Sequence, residues 1–488
     1  MSSQIKIGWG SVSITPDKTV RVHGQLYERI SSYVHDPVTV TALALCNGDE
    51  QCVFLSGDLP TINPDISKRV QEIVNGRDGL DASKIVFSAT HTHNSTYAPR
   101  LPHVTGAIDI AGPDVVPLKE VPDDILGYDE AIDFAVERFV EAILDAWTSR
   151  KPGALSWASD YAVVGFNRRP RFGRPGGEAE SMMYGTCSRP DFIGLEGTSD
   201  HTADMIYTFD DKGALSGVLV AIPCPSQVME LHRFITADYW CYARDAIWSK
   251  FGNINILPIC GAAGDQNPID LVRISKNNVE ELKAWNAQAG EVFRNFDMTE
   301  ECEGIGDRIA EAVGRGYKKS LRHRTARPVF KHVVKTVGLP IRTVEESVYL
   351  EAEETIKSIV AEFSPSNRMT DNDLVRLFQP LGIIERWKLQ NESPTMSFQS
   401  SIIRIGDAAI NTTPFELFVE YAIRMRARAR ADQVISFQIT NGRGLYLPTR
   451  IAVEGGSYSS KPVSNLVGPE GGDMLVEIMV TEMDKLWD

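Results

Sequence analysis

Residues 39–58 read TVTALALCNGDEQCVFLSGD, two apolar runs around Asn47, Gly48 and Asp49, closed by Asp58. Apolar runs about a turn rich in Asn, Gly and Asp predict a β-hairpin. The next stretch, NPDISKRVQEIV, offers Asn63 as a helix cap and Pro64 at the first helical position. Ile66, Val70, Ile73 and Val74 follow at helical spacing, which predicts an amphipathic helix. KIVFSAT (84–90) then reads as a strand that runs straight into two histidines. Such alternation of strands and helices predicts an α/β (mixed α+β) fold of mixed β-sheets flanked by helices.

The rest of the chain keeps this rhythm. A helix is predicted over about 129–147, ended by the breaker KPG. Residues 213–224 and 253–260 read as buried strands, 402–416 as a second hairpin, and 433–442 as the last strand. The region 343–390 looks helical, and the charged stretch 270–300 reads as a surface insertion or lid. With no internal repeat and no Pro/Ser-rich linker, 1–488 is expected to be a single domain.

Composition narrows the classes of function. The 488 residues are 43% hydrophobic and 24% charged, as in soluble globular proteins. A formal net charge of −15 argues against a nucleic-acid partner, which needs a basic face. No run approaches the roughly 18–20 apolar residues of a membrane span, and no signal peptide or lipidation signal is read, so no stable membrane anchoring is expected. Seven scattered cysteines (46, 52, 187, 224, 241, 260, 302) without a C-x-x-C pair suggest reduced thiols and a cytoplasmic protein. Nothing here sets an oligomeric state.

Unusual polar residues fall where predicted strands end: Asp58, His91 with His93, Cys224, Asp265, Glu416 and Asn441. In sheets flanked by helices, strand ends form the ligand-binding rim. Residues i and i+2 of an extended chain share a side, so His91 and His93 can both face one cavity, at a spacing common among metal ligands. A hydrogen-bonded pair with no metal is the plainer alternative. Small residues in PICGAAGDQNP (258–268) allow close backbone approach, with Asp265 at the tip; a tight turn capped by Asp265 is the plainer alternative. Glu416 in TTPFE is either a ligand or a first-turn residue of the next helix.

Taken together, these stretches resemble the neutral (alkaline, non-lysosomal) ceramidases, zinc-dependent amidases. IGWGSVSITP resembles the family's opening G-x-x-x-x-D-I-T-P. VHDPVTVTALAL (34–45) and the strand ending at Asp58 continue the match, which is strongest at SATHTH. GFNRRP (165–170) is similar to the family's Asn-Arg-Ser-Pro, GAAGDQNP to its Asn-x-Gly-Asp-x-Ser-Pro-Asn, TTPFE to its Pro-Gly-Glu, and NGRGLYLPT (441–449) to its tyrosine motif. The likeness spans nearly the whole chain, without the family's C-terminal immunoglobulin-like domain.

The resemblance implies one Zn2+ per chain, with His91 and Glu416 as ligands, His93 beside the reacting group, and Arg168 polarising the substrate. Three positions depart. Gln266 stands where the family has its nucleophilic serine. Cys224 stands where it has a second zinc-binding histidine, leaving Cys224 or the nearby His232 as the further ligand, since a thiolate also binds zinc well. Arg443 stands where the family has a zinc-binding tyrosine, with Tyr446 matching the second one.

Without the serine, metal-bound water is the expected nucleophile. Asp265 or His93 would be the general base and Arg168 the oxyanion partner. The catalytic candidates are thus His93, Asp265 and Arg168; the substrate-binding ones are Gln266, Asn94, Arg443, Tyr446 and Gln227. This polar set suggests a small polar amide, ester or lactone as substrate rather than ceramide. A metal-dependent carbohydrate-active enzyme (glycoside hydrolase, lyase or isomerase) and a non-catalytic ligand-binding relative are the alternatives.

Overall fold

A computed structural model of the chain describes residues 3–48, 50–96, 101–116, 122–277 and 299–488. Its framework is three mixed sheets. The first holds β1 (Lys6–Ser13), β2 (Thr39–Cys46), β3 (Gln51–Gly57) and β4 (Ile85–Ala89). The second holds β5 (Ala154–Tyr161), β6 (Thr202–Phe209), β7 (Leu215–Ile222) and β8 (Asn255–Cys260). The third holds β9 (Phe330–Pro340), β10 (Thr395–Ile405), β11 (Ala408–Thr412) and β12 (Gln433–Phe437). The helices that frame them are α1 (Pro64–Val74), α2 (Pro102–Ala111), α3 (Tyr128–Thr148), α4 (Tyr239–Phe251), α5 (Thr299–Ser320), α6 (Glu346–Ala361), α7 (Asp371–Glu392), α8 (Val419–Arg428) and α9 (Pro469–Asp484).

The three sheets share one topology. In each, these four strands lie side by side in chain order; the first three pair antiparallel and the fourth lies parallel to the third, and in the first sheet a fifth, short strand (Lys151–Pro152) flanks β1. A parallel return requires a crossover, supplied by α1, α4 and α8 respectively. A further helix then packs on each sheet: α3 on the first, α5 on the second, α9 on the third. The chain is therefore a threefold structural repeat, although no repeat is readable in its sequence.

Strand alternation explains how the units join. Leu43, Leu45 and Phe54 of the first sheet share an apolar cluster with Leu219 and Ile259 of the second and Ile410 and Phe437 of the third. Ala42, Ala44 and Val53, on the opposite face of the first sheet, pack instead with Ala142 and Ala146 of α3. Successive residues point to opposite faces, and both faces are covered, so these strands read as near-continuous apolar runs. Each large side chain buried this way contributes about 1.5–3 kcal/mol.

The expected elements are largely found: the hairpin β2–β3, the strands β7, β8 and β12, and a helix at 128–148. Asn63 caps α1 by accepting from the Asp65 N–H, with Ile66, Val70 and Val74 buried. The helical region 343–390 is α6 and α7, the latter opened by a Thr370–Asp373 capping box. Of the stretch read as an insertion or lid, Leu271–Asn277 is helical and 278–298 lies outside the described residues.

Hydrogen bonds tie the three units together at their strand ends. Ser56 Oγ donates to the Pro258 carbonyl, and Gly261 bridges to Phe437. The Asn441 side chain accepts from the Phe87 N–H at 2.8 Å, and the Asn441 N–H donates to the Phe87 carbonyl at 3.1 Å. The ends of β4, β8 and β12 thus form one rim, beside which lies a cavity of about 310 Å3.

Candidate functional site

His91 and His93 follow β4 and both line this cavity. Their rings lie 5.0 Å apart, nearly perpendicular. His91 has φ 62°, a left-handed conformation that a non-glycine residue holds only when its surroundings enforce it. Tyr184, Ile439 and Leu445, also at positive φ, line the same cavity. His91 Nδ1 lies 2.5 Å from the Pro60 carbonyl. A carbonyl only accepts, so Nδ1 carries the proton and Nε2 faces Glu416 Oε2 at 3.4 Å.

His93 is held at both nitrogens. Nδ1 lies 3.0 Å from Glu230 Oε2, and the Gln227 amide nitrogen is 2.5 Å from Nε2. The Gln227 amide is itself oriented, because its oxygen accepts from Asn267 at 3.0 Å. Burial, only partly offset by Glu230, lowers the His93 pKa to about 4, so its ring is neutral at pH 7.

Glu416 follows β11. Burial opposes its ionisation, but contact with His91, the Tyr446 hydroxyl and the charge of Arg168 outweigh that and lower its pKa. Arg168 Nη2 donates to the Tyr446 hydroxyl at 3.2 Å and the Gly264 carbonyl at 2.9 Å; Nη1 donates to the Tyr184 hydroxyl at 3.0 Å. Its Nε–H has no partner among the described residues. An ionised carboxylate, a phenol and a guanidinium with a donor to spare therefore stand side by side.

Arg443, Tyr446 and Gln227 also line the cavity. The other candidates are turned elsewhere. Cys224 is fully buried: its sulfur lies 3.5 Å from the Pro225 carbonyl and it packs against Gly165. The His232 ring stacks on Phe234 at 4.7 Å, outside the cavity wall. Both Asp265 oxygens are engaged, one by the Val419 N–H that opens α8 and one by Asn167 Nδ2, each at 2.9 Å. Asp265 thus ties its turn to the start of α8 and to Asn167. Gln266 is fully buried, pairs with Asn167 as a short strand and donates to the Thr198 carbonyl. Asn94 Nδ2 donates to the His232 and Phe234 carbonyls, fixing that loop.

Residues that the sequence did not single out complete the wall. His23, Glu230, Tyr184 and Tyr458 line the cavity. Burial, with the nearby charge of Arg443 and the neighbouring His93 and His91, lowers the His23 pKa to about 3. Arg29, 1% exposed, holds the wall together: its guanidinium donates to the carbonyls of Glu230, His232, His23 and His93. Glu230 lies in the same polar run, CPSQVMELH, that holds Cys224 and His232.

The donor set offers an incomplete zinc site. His91 Nε2 and Glu416 are suitably paired, and the Pro60 contact fixes the required His91 tautomer. A catalytic zinc takes three protein ligands. Neither Cys224 nor His232 joins the pair, and no group of three His, Cys, Asp or Glu among the described residues could hold a metal. These residues do not fit a complete resident zinc site.

The structure is similar to the crystal structure of neutral ceramidase from Pseudomonas aeruginosa, with a TM-score of 0.65 and 17% identity over 100% of this chain and 75% of that one. It is similar also to a ceramidase complexed with C2, with a TM-score of 0.66 and 17% identity over 99% and 75%. No protein-family model and no curated protein matches the chain. The likeness is one of fold. Among the described residues no helix is long and apolar enough to cross a membrane.

Proposed function

We propose that the chain is a hydrolase acting on the amide, ester or lactone carbonyl of a small polar substrate. The observation that carries this reading is the wall formed by His91, Glu416, Tyr446 and Arg168. Water bound alongside His91 Nε2 and the Glu416 carboxylate, on the cavity side, loses its proton to that pair as it attacks. Arg168, fixed by Tyr184, Tyr446 and Gly264, lends its charge to the developing oxyanion. His93 is engaged at both nitrogens by Glu230 and Gln227, so in this reading it shapes the wall with its ring and is not the base. The polar groups gathered at the reacting position, Arg168, Glu230, Glu416 and Tyr446, are why a polar substrate is favoured over ceramide, although Leu26, Met183, Phe378 and Ile439 line the same cavity. A cytoplasmic setting accords with the seven cysteines, none of which is in a disulfide.

His91 and Glu416 alone do not complete a zinc site, so zinc would need a third donor from elsewhere. Elemental analysis tests for such a site: stoichiometric zinc in the wild type, lost in both His91→Ala and Glu416→Ala, supports it. A carbohydrate-active enzyme is the second reading, favoured because Glu230 and Glu416 place two carboxylates on one cavity. The discriminating experiment offers the protein small amides, esters and lactones alongside a glycoside library. Hydrolysis of a carbonyl substrate that falls at least 100-fold in Glu416→Gln is expected. Cleavage of glycosides alone favours the second reading, and turnover of neither overturns both.

A further inference from the structure

A second cavity, of about 370 Å3, adjoins the first. The two share Glu416, Arg443, Tyr446 and Tyr458, so one occupant can extend across both. Leu381 and Leu389 of α7, with Val463 and Leu466, give the second cavity apolar walls.

Two arginines break that apolar lining. Arg386 of α7 lines the cavity and is 4% exposed. Its Nη2 donates to the carbonyls of Arg342 and Leu466 at 3.2 and 3.1 Å, while Nε and Nη1 have no partner among the described residues. Ser464 Oγ, in the same wall, is likewise unpartnered. Burial, with the charge of Arg342, lowers the Arg386 pKa to about 10, so the guanidinium stays charged at pH 7. Arg443 is exposed between the two cavities, and its side chain has no hydrogen-bond or ion-pair partner among the described residues. Glu385 also lines the cavity but is exposed to solvent, which screens its charge. A buried charge with spare donors is unfavourable until an opposite charge completes it.

We propose that the second cavity is an anion-binding subsite, which takes a carboxylate or phosphate carried on a short apolar stem. Its Arg386 and Ser464 hold the anion, Arg443 guides it in, and the leucines and valine pack the stem. That the anion belongs to a substrate whose reacting carbonyl lies in the first cavity rests on the hydrolase reading; the binding itself does not.

The test is calorimetric titration of the full chain with 3-phenylpropionate, phenyl phosphate and uncharged 3-phenylpropanol. At least one anion is expected to bind tenfold or more tightly than the alcohol, and whichever does so identifies the headgroup. Arg386→Met or Arg443→Gln should cut that preference at least fivefold with alcohol binding unchanged. Arg443 is exposed, so its variant keeps the test decisive if Arg386→Met does not fold. The proposal is overturned if the alcohol binds as well as both anions, or if the preference survives in the folded variants. Anion preference without any turnover sinks the hydrolase reading alone; turnover of neutral esters without anion preference sinks the subsite alone.

Discussion

At the ends of β4 and β11, His91 and Glu416 face each other at 3.4 Å across the cavity wall. At the ends of β7 and β8, the equally polar positions Cys224 and Asp265 are turned into packing and helix support. The four strands occupy corresponding third and fourth places in sheets of one topology. What separates the two regions is how far their polar atoms are already satisfied. Asp265 accepts from Val419 and Asn167 with both oxygens. His91 keeps Nε2 turned to Glu416, and Arg168 keeps its Nε–H. Topology brings polar residues to the rim, and unspent hydrogen-bonding capacity marks the ones available for chemistry.

The largest effect expected from this contrast is on turnover. Glu416→Gln should reduce hydrolysis at least 100-fold, because it removes both the proton acceptor and the charge beside Arg168. Asp265→Asn, assayed at a temperature where it is folded, should retain activity within about tenfold. Steady-state rates on one responsive ester decide the matter. Equal losses in the two folded variants would show that Asp265 acts in the chemistry, and the contrast would collapse.

The next effect is on stability and carries a definite sign with pH. Burial raises the Asp265 pKa from 3.8 to about 6, against the hydrogen bond that it accepts from the Val419 N–H. The folded state therefore binds this proton more tightly than the unfolded one. Its contribution to stability is full below about 3.8 and is lost as pH rises through about 6. Asp265→Asn should cost about 1–3 kcal/mol through the altered acceptor pattern, and flatten the fall in stability between pH 4 and 6. Asp238, also raised to about 6 by burial, keeps part of that slope. Urea melts at pH 4 and pH 7 measure both; an unchanged slope would mean that Asp265 is not the buried support described above.

Much of the framework was legible because apolar runs and turn residues act locally. Asn63 and Pro64 start α1 as read, and the strand-end residues reach the rim. The threefold repeat was not legible, since its units share strand order and crossovers rather than residues. Which rim residues face the cavity was not legible either, because distant partners decide it. Asn441 is spent on Phe87, Asp58 on a two-pronged ion pair with Arg244 at 2.9 Å, and Asn94 on the loop at His232. His23 and Glu230 join the site only because Arg29 gathers their backbones with that of His93. No local pattern announces an arginine with four carbonyl acceptors.

The smallest predicted effect is the sharpest test of the contrast. The resemblance puts Cys224 at a zinc-ligand position, and its thiol chemistry would suit the metal. Yet its sulfur is fully buried beside Pro225 and Gly165, and its carbonyl accepts from the Tyr239 hydroxyl at 2.8 Å. Cys224→Ser places a hydroxyl in that tight space, where the Pro225 carbonyl can accept from it. The cost should be about 1 kcal/mol or less, with turnover, and any zinc content that the wild type shows, within about twofold of wild type. If the folded variant instead loses zinc or activity, the end of β7 reaches the cavity when metal is bound. The contrast would then separate two states of one rim, instead of two regions with different work.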